Sequence, residues 1–305
     1  METIEYGGWP NCIRLTNGTF ELVATTDVGP RIMRLGFTDG QNLFKEVEEH
    51  LGQTGGDEWR SYGGHRLWHA PEEAPRTYAP DNGPVQHTWD GEALVLSQDV
   101  ESATGIKKDI RIRFLKDNAT IRVEHTITNT NLWDVTLAPW ALSVMAQGGR
   151  AILPNEEYRP HPEYLLPARP LVVWHYTDMS DPRWLWGERY IQLTQDPEVG
   201  QDKQKIGALN KQGWAAYVLD GEVFVKRFAC IEGADYPDYG CNMEIYTDGS
   251  ILEVETLGPL TQLAANGGTV THVEHWGLFK ADVSEDEDAI GEVLLPLVEQ
   301  MPPVS

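Results

Sequence analysis

Residues Tyr62-Gly63-Gly64-His65-Arg66-Leu67-Trp68-His69-Ala70-Pro71-Glu72 gather two imidazoles, a guanidinium and a carboxylate behind a glycine pair and beside an indole. Glycines let a backbone approach a partner closely. Trp68 offers an apolar platform with one donor, and the ionisable groups supply acid, base and hydrogen-bonding capacity. Three readings fit the block: a polar ligand site, a hydrogen-bonded structural cluster, and a metal site built on His65 and His69 with Glu72. The glycines and Pro71 argue against a helix that would put both histidines on one face. In an extended conformation His65, Leu67 and His69 point one way, and Arg66 and Trp68 the other. No metal is assigned and no cofactor motif is read.

A second chemical segment runs from Cys241 to Thr256 and centres on Asp248-Gly249, a strong two-residue hairpin signal. That turn predicts Thr247 opposite Ser250, Glu244 opposite Glu253 and Asn242 opposite Glu255. Met243, Ile245, Leu252 and Val254 then share one face, while Asn242, Glu244, Tyr246, Glu253 and Glu255 share the other. Like charges opposed on a sheet face are unfavourable, so the carboxylates need cations, protons, solvent or a purpose. Solvation is one reading. The other is general acid–base chemistry, in which a carboxylate works with an imidazole of the first block. Arg60, Arg66, Arg183 and Lys226 are candidate hydroxyl or carboxylate clamps, each with the alternative of a plain ion pair. Trp59, Trp68, Trp140, Trp184 and Trp276 are candidate stacking walls or core.

The elements that position these groups read as β. Phe20–Ala24 and Arg31–Leu35 are short strands separated by Gly29-Pro30. Ile110, Ile112 and Phe114, then Ile121, Val123, His125 and Ile127, alternate with charged residues on either side of a turn at Lys116-Asp117-Asn118. Gly52–Pro84 and Pro154–Gly187 are Gly/Pro-rich tracts, too long for simple turns, and read as functional loops. Ser284 and Glu287 form a capping-box pattern before one C-terminal helix, which Pro296 should end or kink. No linker or repeat divides residues 1–305, so one large antiparallel β-sandwich domain is expected.

Composition narrows the partners. With 24 Lys+Arg against 47 Asp+Glu the chain carries a formal charge of −23, which disfavours nucleic acid and anionic membrane. Eleven Trp and eleven Tyr fit stacking on the C–H faces of sugar rings, as well as core building. Cys12, Cys230 and Cys241 have neither zinc nor disulfide spacing. The start Met-Glu-Thr-Ile-Glu-Tyr has no signal-peptide pattern, so a cytoplasmic protein is expected, monomeric or a weak homodimer.

The chain resembles the galactose mutarotase-like superfamily, and more closely a bacterial branch with a DUF4380-type domain. The blocks that carry the resemblance are Thr26–Ile32, Gly55–Arg60, Gly63–Glu72, Ser180–Trp184, Tyr236–Gly240, Glu253–Leu260 and Glu274–Trp276. The resemblance implies an all-β antiparallel supersandwich with a cleft that takes a sugar, sugar derivative or oligosaccharide. In aldose 1-epimerases a glutamate deprotonates the anomeric hydroxyl and a histidine protonates the ring oxygen. Glu255 is similar to that glutamate. The region comparable to the histidine, Leu137–Leu142, holds none, which leaves His65 or His69 as the acid, with His161 and His175 behind them. Arg66, Trp68, Glu72, Asn242, Glu244, Glu253, Arg60 and Arg183 are the expected binding residues. A non-catalytic sugar-binding module and an oligosaccharide lyase or hydrolase are the alternatives.

Overall fold

Strict alternation of apolar and charged side chains buries one edge of a strand and wets the other. That alternation produces the antiparallel pair Ile106–Phe114 and Thr120–Asn129, with Ile112 opposite Val123 and Ile110 opposite His125. The computed structural model describes residues 1–116 and 119–304, so the expected turn at Asp117-Asn118 lies outside the described residues. Phe20–Thr25 and Arg31–Phe37 are strands, as expected, and they pair with each other.

Among the described residues the strands form two antiparallel sheets. The first runs in the order Glu2–Tyr6, Trp9–Thr16, Phe20–Thr25, Arg31–Phe37, His65–Ala70, Val135–Met145, Leu252–Leu257, Met243–Thr247, Gln204–Ala208 and Leu171–Val173, with Thr261–Leu263 joined to Val135–Met145. The second runs Trp184–Trp186, Tyr190–Thr194, Arg150–Pro154, Trp214–Leu219, Glu222–Phe228, Gly268–Lys280, Thr120–Asn129, Ile106–Phe114, Leu94–Ser97 and Gln86–Trp89. Their facing sides close over one apolar core that includes Leu22, Ile32, Leu67, Ile112, Val123, Ile206, Ile245, Val254 and Phe224. No helix among the described residues is long and apolar enough to cross a membrane.

Helix Glu287–Gln300 lays Ile290, Leu294 and Val298 on the outer side of the second sheet, against Ile152, Trp214, Ala216, Val223 and Val225. The expected Ser284/Glu287 capping box does not form. Asp286 is the N-cap, accepting from the Asp288 and Ala289 amides. Glu287 instead accepts from the backbone amides of Arg189 and Tyr190, which ties the helix to a strand end. The helix also runs through Pro296 to Gln300, because its packed face outweighs the one backbone bond that proline removes.

The expected long loops are only partly loops. His65–Ala70 is an interior strand of the first sheet, and the Gly63–Gly64 pair serves that sheet: a Cβ at Gly63 would lie 2.1 Å from Lys45 O, and one at Gly64 2.4 Å from Ile32 O. The glycines therefore admit neighbouring backbone, and no ligand needs to be invoked for them.

Candidate active site

Because His65–Ala70 is extended, its side chains divide between the two faces of the first sheet. His65, Leu67 and His69 point into the core between the sheets; Arg66 and Trp68 point outward. The two expected catalytic histidines are thereby separated by the sheet itself from Glu255, which faces outward. This corrects the expectation that an imidazole from this block serves as the acid.

The inward group is a closed network. His65 Nδ1 lies 2.8 Å from Ser143 Oγ, and His65 Nε2 lies 2.7 Å from His125 Nε2. His125 Nδ1 is 3.2 Å from the His272 carbonyl, and His272 Nε2 is 2.7 Å from Thr256 Oγ1. Glu274 accepts from Trp276 Nε1 at 2.7 Å and from Thr256, and pairs with Lys226 Nζ at 2.8 Å. Lys226 also donates to the Val254 carbonyl across the sheets. Burial pushes His125 down to about 4 and His272 to about 3, so both are neutral imidazoles at neutral pH. Burial alone would raise Glu274, but Lys226 and the surrounding histidines hold it below the usual carboxylate range. His65, His125 and Glu274 each bring a ligand atom within 4.8 Å of the others. Their lone pairs and protons are already matched within the network, which explains the cluster without an ion. His69 sits in a separate buried group, 3.7 Å from Glu101, whose main partner is Lys108 at 2.5 Å.

The outward face holds the chemistry that the carboxylate hairpin promised, in a different register. The hairpin pairs Glu244 with Glu255, Tyr246 with Glu253 and Thr247 with Leu252. Asp248 stretches the turn to four residues, its side chain accepting from the Ser250 and Ile251 amides. A slip of two residues preserves side-chain direction, so Glu244, Tyr246, Glu253 and Glu255 still share a face. One row across that face reads Gly207, Glu244, Glu255, Leu142, Arg66, and the next reads Lys205, Tyr246, Glu253, Val144. Gly207 leaves room for Trp174, whose ring would lie 3.2 Å from a Cβ there.

Lys205, absent from the sequence reading, organises this face. Its Nζ lies 2.7 Å from Glu244 Oε2 and 3.1 Å from Glu255 Oε2, and 4.8 Å from the ring centres of both Trp140 and Trp174. Trp140 Nε1 donates to Glu255 Oε2 at 2.8 Å. Arg66 pairs with Glu253 at 3.1 Å and lies over Trp68, 4.4 Å from the ring centre. Two cations thus face three buried carboxyls, and charge balance leaves a proton to be held among them. Burial pushes Glu253 up to about 7, against the pull of Arg66 and with a push from Glu255. Burial likewise raises Glu244 well above its ordinary value; Lys205 pulls it back and Glu255 pushes it further. Burial would lower Lys205, but Glu244 and Glu255 hold it well above the usual lysine value.

Over this layer lies a cavity of about 450 Å³ lined by Glu72, Glu73, Ala74, Tyr78, Trp140, Trp174, Asp238 and Glu244. Glu244, 1% exposed, reaches its wall and hydrogen-bonds the Asp238 carboxyl; Glu255, 0% exposed, lies beside Glu244 in the same row. Glu72 meets the cavity and accepts from Tyr78. Asn242 does not join the face: its amide accepts from Asn210 N and donates to Asn210 O, tying strand ends together. Arg60 is committed to the Gly55 carbonyl and Tyr62, and Arg183 to Asp181 at 2.8 Å, so both are structural ties away from the cavity. Trp184 and Trp276 belong to the core, as does Lys226. Of the residues the sequence reading missed, Asp238 lay inside a quoted motif block, Lys205 alternates along a strand, and Trp174 sits within the long Pro154–Gly187 tract.

No family model matches the chain, and no curated protein does. Solved structures do. A galactose mutarotase-like protein from Lactobacillus casei superposes with a TM-score of 0.57 at 10% identity, over 88% of this chain and 100% of its own. A Synechocystis sp. PCC 6803 protein gives 0.55 at 11% identity, over 92% and 100%. A galactose mutarotase related enzyme from Lactobacillus acidophilus gives 0.51 at 7% identity, over 89% and 100%. The fold is that of the galactose mutarotase-like sandwiches. At such identities the likeness carries architecture and leaves chemistry to the site itself.

Proposed function

We propose that this chain is a single-domain, aldose 1-epimerase-like enzyme of the DUF4380-type branch, which moves protons on a sugar or sugar derivative held over Trp140 and Trp174. The observation that carries the reading is the pair Glu244 and Glu255 sharing Lys205 directly beneath a cavity walled by indoles. Glu244 and Asp238 face the ligand. Burial raises both carboxyls and a hydrogen bond joins them, so one can give a proton while the other takes one. Glu255 is a positioning residue here: with Trp140 it fixes Lys205, and its charge sets the state of Glu244. Trp140 and Trp174 stack the ring.

Anomer exchange measured by polarimetry over a panel of neutral, amino and acidic saccharides tests this. Glu244→Gln should lower kcat by about 10²–10⁴-fold. Glu255→Gln should move the limb of the pH–rate profile set by Glu244 to lower pH, because the Glu255 charge adds to burial in raising Glu244. Full turnover in Glu244→Gln would sink the assignment. One observation favours a binding module instead: no histidine is among the cavity-lining residues. Saturable sugar binding with no turnover of any panel member would decide for that reading.

A further inference from the structure

The cavity wall holds Glu72, Glu73, Asp238 and Glu244, together with the rings of Tyr78, Trp140 and Trp174, and no lysine or arginine. The nearby cations are already committed. Lys205 is bound to Glu244 and Glu255 below the floor, and Arg66 to Glu253. Among the described residues no cation lies within ion-pair distance of Glu72, Glu73 or Asp238. Glu244 is buried with its carboxyl hydrogen-bonded to that of Asp238, so two acids meet at this wall and repel unless a proton or a cationic donor lies between them. Asp238 reaches the wall from a turn in which it and Tyr239 both take left-handed conformations, φ 51° and 61°, which L residues adopt at a cost. Tyr239, 91% exposed, has no packing that would explain the turn.

We infer that the ligand of this cleft carries a cationic nitrogen, as an amino sugar does, seated among Asp238, Glu244 and Glu72 and against the faces of Trp174 and Tyr78. Carboxylates close the charge, and aromatic faces attract an ammonium through the ring quadrupole. A divalent metal fits less well. It asks for about six to eight close oxygen ligands, more than the carboxyls of this wall supply once Glu72 is engaged by Tyr78 and Glu244 by Lys205. The inference rests on the reading that the cleft takes a sugar, and its test separates the two.

Titration calorimetry of the full chain at pH 7 and low salt compares matched probes: glucosamine, glucose, N-acetylglucosamine and glucuronic acid; the corresponding galactose set; cyclohexylamine; and calcium chloride. The amino sugar should bind about tenfold or more tightly than its neutral parent. Acetylation should erase that advantage, and added salt should weaken it. Asp238→Asn and Glu72→Gln should each shrink the amino sugar's advantage over its neutral parent severalfold. Asparagine tolerates the left-handed region, and Glu72 is exposed, so neither change threatens folding. A neutral or acidic sugar binding as tightly as the amine overturns the inference and leaves the sugar reading standing. Cyclohexylamine binding without any sugar does the reverse. Calcium binding with no amine preference, or no amine binding at all, also overturns it.

Discussion

The space between the sheets and the outer face of the first sheet hold the same triad in different settings. Between the sheets, Glu274 takes the Trp276 indole at 2.7 Å and the Lys226 ammonium at 2.8 Å. On the outer face, Glu255 takes the Trp140 indole at 2.8 Å and the Lys205 ammonium at 3.1 Å. The inner triad adds Thr256 and three histidines until its polar atoms are matched, which makes it a structural rivet. The outer triad adds a second carboxyl, Glu244, to the same lysine, sets it against the Asp238 carboxyl beside a cavity, and leaves Glu255 Oε1 unmatched. Residue type does not distinguish a site from a rivet; the surplus of unmatched groups beside open space does.

The largest expected consequence is in stability. Lys226→Met strands a buried carboxylate with no solvent at hand and should cost about 3–5 kcal/mol in urea unfolding. Lys205→Met should cost roughly 1–2 kcal/mol, because Glu244 can take a proton and the cavity can hydrate the pair. Equal losses would erase the distinction between the faces. Next in size, His65→Ala leaves His125 and Ser143 unpaired and opens a hole, at about 2–3 kcal/mol. Ligand Kd and kcat should not change, and a selective loss of turnover in a folded variant would restore His65 to the catalytic set.

The faces should also respond to pH with opposite sign. His125 and His272 are depressed from 6.5 to about 4 and about 3, so the unfolded chain takes up protons that the folded chain refuses. Their contribution is complete above pH 6.5 and is lost as pH falls toward 4 and then 3. Glu253 is raised from 4.5 to about 7, so its contribution is complete below 4.5 and is lost as pH rises toward 7. Glu253→Gln should therefore remove a decline of up to about 1.4 kcal/mol per pH unit in that window, seen by comparing urea midpoints. An unchanged slope would mean that Glu253 is ionised like a surface carboxylate. The smallest effect belongs to neither face: Arg60→Ala should stay within about 0.5 kcal/mol and leave ligand affinity untouched.

Much of this was legible in the chain. The opposed directions of His65 and Arg66 follow from period-two geometry, and so does the shared face of Glu244, Glu253 and Glu255. The pairing of Glu244 with Glu255 was not legible, because Asp248 can begin a two-residue or a four-residue turn, and its own side-chain bonds choose the longer one. The Asn242 error has a similar origin: a residue at a strand end keeps the parity of its neighbours while its amide is captured by Asn210, a partner distant in sequence. Lys205 and Trp174 carry no local mark at all, since their meaning arises only beside Glu244 and Trp140.

The sequence by itself determined that the chain is a β-sandwich and which side chains travel together, because alternation is a property of the extended backbone. Only the tertiary structure decided which of those faces became interior. The second sheet covers the His65 side of the first, dehydrates its imidazoles and matches them to Glu274 and Lys226. Among the described residues no second sheet covers the Glu244 side, so its carboxyls stay in excess beside a cavity. Burial and charge balance are sums over partners far apart in sequence, and they become fixed only when the sheets meet.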